Sequence, residues 1–213
     1  LVTIFLLTNP LAAQNAERPA TQPAAVFRDS DGNLVSNDEF VDIRMANFHY
    51  PDATVTKTLD DGTVEFRLQK IPQEGMPAPA FTARTVDGKT ISSAQLKGKV
   101  VVLNFWFIGC PACTDIEPKL NRFRAKFAGE TDAVFLAMTA DPAGEVRKYL
   151  EKNRFDFIQA ADAEAALRSF VFTGYPKNIV IGRDGRIAYW RSTIHAWDKF
   201  ESVVRAELGK QGE

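Results

Sequence analysis

The chain has 213 residues, enough for one domain of ordinary size plus an extension. Its hydrophobic fraction of 45% and charged fraction of 25% are those of a globular protein rather than a disordered or membrane-embedded one. A formal net charge of −1 supplies no basic field for nucleic acid and no polybasic run for a lipid surface.

Residues 1–16 have the pattern of the later part of a secretory signal peptide: an apolar run, the break at Pro10, small residues, then a polar stretch. The basic n-region is missing, so the segment reads as a clipped signal. It is too short to span a bilayer, which takes about 20 residues, and no Cys follows it to carry a lipid anchor. The alternative is a merely apolar N-terminal segment. Export would place the chain in an oxidising, periplasmic or otherwise extracytoplasmic compartment. Residues 17–25, rich in Ala, Pro and polar groups, read as a flexible tether. Residues 26–71 form a small β-rich extension. Val26–Arg28, Val41–Arg44, Thr54–Thr58 and Thr63–Leu68 alternate as half-buried strands do, with turn signals at Asp31-Gly32 and Asp61-Gly62. The extension carries no evident chemistry and would recruit a partner or cover a sheet edge.

The Pro-rich run from Ile71 to Ala80 marks a boundary, and residues 72–213 read as an α/β domain. Phe81–Val86 and Thr90–Ile91 flank the Asp87-Gly88 turn as a hairpin. Val100–Phe105 is a continuous apolar run, expected of a central strand buried on both faces. A helix over Pro111–Phe127 follows, with Leu120, Phe123 and Phe127 on one face. Then come a strand at Ala133–Met138, a helix at Ala143–Lys152 behind Asp141-Pro142, a strand at Phe155–Gln159 and a helix at Ala163–Phe170. Asn178–Ile181 and Ile187–Trp190 form a hairpin around Asp184-Gly185, and Trp197–Leu208 closes as an amphipathic helix.

Cys110 and Cys113 are the only two cysteines. They sit in a Cys-Pro-Ala-Cys motif between the central strand and the first long helix. Two intervening residues, once helical, bring the sulfurs within disulfide range. The first sulfur then lies where unpaired backbone N–H groups and the helix dipole favour an anion, which lowers its pKa and arms it for exchange with other disulfides. Pro111 suits an early helical position because its missing N–H would have no intrahelical partner, but it also removes one donor to the Cys110 thiolate. A structural disulfide in a non-catalytic binding module is the competing reading. Zinc would need four ligands, and the two histidines, His49 and His195, lie far from the cysteines in sequence. No metal and no other cofactor is expected.

Several motifs fall in order: Gly75-Met-Pro-Ala-Pro-Ala-Phe81, Asp87-Gly-Lys89, Leu96 through Trp106, Cys110-Pro-Ala-Cys113, Gly174-Tyr-Pro176 and Arg183-Asp-Gly-Arg-Ile187. Together they resemble the TlpA/ResA-like branch of the thioredoxin superfamily, with its redoxin-type domain. The resemblance implies a thioredoxin-like three-layer sandwich with a mixed central sheet. It also implies an exported thiol–disulfide oxidoreductase acting on protein disulfides, supplied by a membrane or periplasmic electron donor, often in cytochrome c maturation or thiol homeostasis. Carried over by position, Cys110 is the exposed nucleophile and Cys113 the buried resolving thiol. Tyr175-Pro176 matches the cis-proline loop, whose backbone meets the incoming peptide.

The chain departs from the family at three places. The Glu expected three residues after the second Cys is replaced by Ile116, with Asp115 and Glu117 on either side. Either could serve Cys113, although each is turned about 100° from Ile116, and both could equally be solvated helix charges. Asn104 occupies the strand position where thioredoxins carry a buried Asp. Gly109 replaces a Trp before the first Cys, which would open one wall beside it, while Trp106 is retained for packing or function. Thiol peroxidases share this fold, but the Pro-x-x-x-Thr-x-x-Cys run they need is absent.

Overall fold

A computed structural model describes residues 24–46 and 55–210. The signal-like segment, residues 17–23 of the tether, His49 and Thr54 lie outside the described residues.

The N-terminal unit is a four-stranded sheet of order β2-β1-β4-β3, built from β1 (Ala25–Arg28), β2 (Leu34–Val35), β3 (Val55–Thr58) and β4 (Val64–Arg67). Phe27, Phe40 and Phe66 gather against one another, with ring centroids 4.4 Å, 5.5 Å and 5.9 Å apart. Val41–Arg44, expected as a strand, instead belongs to α1 (Asn37–Arg44). The capping signals outweigh four residues of alternation. The Ser36 side chain accepts from the Glu39 amide, Asp38 and Glu39 stand in the first turn, and Arg44 stands in the last. Phe40 and Ile43, three residues apart, turn the same helical face inward.

The second sheet has seven strands in the order β11-β10-β7-β8-β9-β5-β6. These are β5 (Thr82–Thr85), β6 (Thr90–Ser92), β7 (Val100–Phe105), β8 (Ala133–Met138), β9 (Ile158–Ala161), β10 (Lys177–Ile181) and β11 (Ile187–Arg191). β7, β8 and β9 are parallel neighbours, and the remaining pairings are antiparallel. The sheet is therefore mixed, and β7 is buried at every position. Its side chains alternate between two cores. Val100 and Val102 face Leu120 and Phe123 of α2 (Pro111–Ala125), Val146 of α3 (Ala143–Leu150), and Phe200 and Val204 of α5 (Trp197–Gly209). Val101, Leu103 and Phe105 face Ala166 and Leu167 of α4 (Glu164–Ser169). Helices on both faces of a mixed sheet make the three-layer sandwich of a thioredoxin-like fold.

The outer edge of β11 is lined by the Pro-rich connector: Gly75 N donates to Ile187 O at 2.8 Å and Ile187 N to Met76 O at 2.9 Å. Edge covering thus falls to the connector here. The N-terminal unit docks elsewhere, through buried polar contacts. Asp42 accepts from the Thr193 hydroxyl at 2.9 Å and from the amides of His195 and Ala196 at 2.8 Å and 2.9 Å. Lys177 Nζ donates to Ala46 O at 2.7 Å.

Candidate active site

The site is assembled at the C-terminal end of β7, where the chain leaves a fully buried strand and must turn into α2. Trp106 N donates to Met138 O at 3.1 Å, so the strand ladder continues one residue past β7. Then Cys110 N reaches back to Phe107 O at 3.2 Å and closes a tight turn. Gly109 holds φ +88° in that turn, in the left-handed region where a side chain is strained. Ile108 N donates to Asp141 Oδ2 at 2.7 Å, and the Thr139 hydroxyl donates to the same oxygen at 2.6 Å. The loop after β8 therefore braces the turn that presents Cys110.

Cys110 is the N-cap of α2 and Pro111 its first helical residue. The Cys113 amide donates to Cys110 Sγ at 3.1 Å, the arrangement that favours negative charge on this sulfur once the bond is reduced. The two cysteines are joined in a disulfide. Cys110, expected to be exposed, is only 3% accessible, close to the 2% of Cys113. Both belong to the core on the α2 side of the sheet, beside Trp106 and Ile116. Exposure at this end of the helix falls instead to Pro111 and Ala112.

Asp115 and Glu117 have opposite fates. Asp115 is exposed, whereas Glu117 is 4% accessible, so it is not a solvated helix charge. Cys113 and Glu117 are one helical turn apart and share the buried face with Ile116, Leu120 and Phe123. Burial pushes the Glu117 carboxyl above the usual range, opposed by the Tyr149 hydroxyl, which donates to it at 2.9 Å. Burial and this carboxylate push the Tyr149 phenol up to about 12. The Trp106 ring lies 5.1 Å from that of Tyr149, and its Nε1 finds no acceptor among the described residues. Trp106 is a core residue here. Asn104 donates through Nδ2 to Asn178 Oδ1 at 2.9 Å across the β7–β10 pair, so it is committed to a neutral buried amide pair.

The Tyr175-Pro176 bond is cis. The register Lys177↔Phe105 sets this bond beside the turn that carries Cys110. Tyr175 packs edge-on against Phe107 at 5.2 Å and against Phe172 at 5.1 Å. Its phenol is pushed up by burial and by the nearby Asp141. Among the described residues no group of three or more His, Cys, Asp or Glu is arranged to hold a metal ion, and His195 Nδ1 lies 2.8 Å from Asp42.

A model of the Redoxin family matches residues 73–202. The chain belongs to the Redoxin family. This Redoxin protein is 27% identical over 117 residues to the thioredoxin-like protein YneN of Bacillus subtilis, covering 54% of this chain and 69% of that protein. It is 30% identical to the thiol-disulfide oxidoreductase ResA of Bacillus cereus, covering 54% of this chain and 67% of that one. Among solved structures, it resembles a thiol:disulfide interchange protein of the thioredoxin family from Chlorobium tepidum. The TM-score is 0.55 and the identity 26%, over 66% of this chain and 100% of that one. The Redoxin chain is thus a thiol–disulfide oxidoreductase of thioredoxin fold.

Several residues of the Redoxin site escape a reading by motif. Asp141 could be seen only as part of a helix start signal, although it braces Ile108. Tyr149 lies two elements away from the cysteines in sequence and meets Glu117 only through the fold. Lys177, directly after the cis-proline, is fully buried. A lysine two residues before the apolar run Ile179–Ile181 is the one signal the sequence offers for it.

Proposed function

We propose that the Cys110–Cys113 dithiol reduces protein disulfides outside the cytoplasm. The Cys110 thiolate attacks one sulfur of the substrate disulfide, forming a mixed disulfide and releasing the other substrate sulfur as a thiolate. Cys113 then gives up its proton and attacks Cys110 Sγ, releasing the second substrate thiolate and closing the Cys110–Cys113 bond. Two electrons pass from the dithiol to the substrate, and an external membrane or periplasmic thiol donor restores them. Glu117, on the same buried helical face as Cys113, is the group we assign to accept the Cys113 proton. Tyr175 and Pro176 supply the adjoining substrate-binding loop, and Trp106 and Pro111 shape the core and the cap around the pair.

One observation carries this reading: the Cys113 amide donating to Cys110 Sγ at a helix N-cap, beside a cis-proline loop. Export is supported by the apolar, small-residue pattern of residues 1–16 and by likeness to the soluble secreted antigen MPT53 of Mycobacterium tuberculosis, 33% identical over 87 residues. A place in cytochrome c maturation or periplasmic thiol homeostasis would follow from that location and chemistry.

The test is insulin reduction by the pre-reduced chain. Wild type reduces about one insulin disulfide per pre-reduced chain, Cys110→Ala does not, and Cys113→Ala accumulates a mixed disulfide that dithiothreitol releases. Undiminished turnover by Cys110→Ala would falsify the assignment. The reduction potential fixes the direction: about −270 mV suits a reductase and about −120 mV an oxidant.

A further inference from the structure

We propose that Tyr149 is a positioning residue for the resolving step: its hydroxyl holds the Glu117 carboxylate at the wall of a solvent groove, and the Cys113 proton leaves through that groove. The inference rests on Glu117 as the acceptor of this proton. It adds the residue that orients Glu117 and the way out.

The resolving step has a proton to lose and little solvent to take it. Cys113 is buried, and in the mixed disulfide the substrate covers the Cys110 end of the pair. Glu117 offers another side. Though buried, it lines a groove of about 550 Å³ between α2 and the segment that follows α3. Thr114 from α2 and Lys152 from that segment line the same groove and are exposed. Asn121 ties the two walls together: its Nδ2 donates to Arg154 O at 2.7 Å, and its Oδ1 accepts from the Asp156 amide at 2.8 Å. The groove is thus a built opening, separate from the cis-proline loop.

The Tyr149 hydroxyl lies 2.9 Å from both oxygens of Glu117, so its one proton is shared between them and fixes the plane of the carboxylate. Its ring is held separately, against Trp106, which belongs to the same core as the two cysteines. A phenylalanine would keep that packing; the hydroxyl is what reaches Glu117. The charged groups lining the groove are Arg122 of α2 and, after α3, Lys152, Arg154 and Asp156, of which the last two pair with each other. The proton affinity of Glu117 is raised by burial and lowered by the Tyr149 bond. In the step itself Cys113 gives its proton to Glu117 and its thiolate attacks Cys110 Sγ. The substrate thiolate leaves, and Glu117 passes the proton to solvent in the groove. Tyr149 keeps its own proton throughout.

Stopped-flow release of thiopyridone from excess 2,2′-dithiodipyridine separates the two steps on the full, pre-reduced chain. The first phase is attack by Cys110 and scales with the reagent; the second is closure by Cys113 and does not. Tyr149→Phe should spare the first phase and slow the second about tenfold at pH 5.5, the weight of one hydrogen bond to a charged group. The acid limb of the second phase should move to higher pH, because the carboxylate has lost the donor that favours it. Glu117→Gln should slow closure about a hundredfold. Adding Tyr149→Phe to Glu117→Gln should then change nothing further, since no carboxylate remains to be placed. If Glu117→Gln is slow, this proposal alone is overturned by wild-type closure in Tyr149→Phe, by equal slowing of both its phases, or by full additivity in the double variant. Wild-type closure by Glu117→Gln overturns the proton-acceptor assignment and this proposal together.

Discussion

Glu117 shows how burial alone changes what a carboxylate does. It lies on the stripe Cys113, Ile116, Glu117, Leu120 and Phe123, so the helix carries it into the core. Its partner there is the hydroxyl of Tyr149, and desolvation raises its pKa above the ordinary value. The folded state therefore holds the proton to higher pH than the unfolded chain does. Below the unfolded pKa the burial penalty is absent, and it grows as pH climbs through the raised value, so this group lowers stability with rising pH. Glu117→Gln keeps an acceptor for Tyr149 and removes the charge. Urea unfolding at pH 4, 5.5 and 7 should show the variant gaining on wild type as pH rises. Glu117→Leu, which takes the carboxylate partner from the half-buried Tyr149 hydroxyl, should cost about 1–3 kcal/mol at pH 7. A glutamine variant that loses ground between pH 4 and 7 would remove the case for a buried, proton-holding carboxyl. The sequence did carry this signal: Glu117 sits four residues after Cys113, and side chains four apart share a helical face. The angle of about 100° between Glu117 and Ile116 does not express that relation.

The turn between β7 and α2 makes the same point for elements. Four hydrophobic strands and the long helix were legible because each is a long, uniform run: Val100–Phe105 and Ala133–Met138 could hardly be surface segments. Short runs were not legible. Val41–Arg44 alternates like a strand, yet the Ser36 cap and the acidic first turn commit it to a helix. In the active-site turn, a missing tryptophan suggested lost bulk, but the structure gives a backbone reason for the glycine. Gly109 at φ +88° completes the turn that returns Cys110 N to Phe107 O. Nothing lies within 4 Å of a Cβ added there, so a side chain would meet backbone strain and no clash. Gly109→Ala should therefore cost about 1–2 kcal/mol, the price of a left-handed alanine. Chemical denaturation of the oxidised form checks this. A neutral or stabilising substitution would mean the turn is free to relax, and Asp141 would then be an idle brace.

At the scale of the whole molecule, the N-terminal unit is held to the sandwich by polar groups that long-range folding brings together, which is why its role could not be read from sequence. Asp42 collects donors from Thr193, His195 and Ala196, and Lys177 reaches Ala46 from the first residue after the cis-proline. The lysine is fully buried, donates also to Ser192 Oγ at 2.7 Å, and lies 5.3 Å from the centre of the Trp190 ring. Arg191, beside it on β11, is paired with Glu74. Burial, reinforced by Arg191, lowers the Lys177 pKa to about 8. From that value up to the ordinary 10.5, the unfolded chain binds a proton that the folded chain does not. Stability therefore rises with pH through this window, while below about 8 the full cost of burying the ammonium is present. The integrated gain is on the order of 3 kcal/mol. Tyr149 and Tyr189 are pushed up and act in the opposite sense near the top of the range, so the informative quantity is a difference between variants. Lys177→Met keeps the length and removes the charge, leaving Ala46 O and Ser192 Oγ without this donor. The stability of wild type relative to Lys177→Met, followed by denaturation from pH 7 to 10, should climb steadily above pH 8. A constant difference would show that Lys177 stays charged throughout. The fastening of the N-terminal unit to the cis-proline strand would then be a buried ammonium held charged by its acceptors rather than a titratable joint.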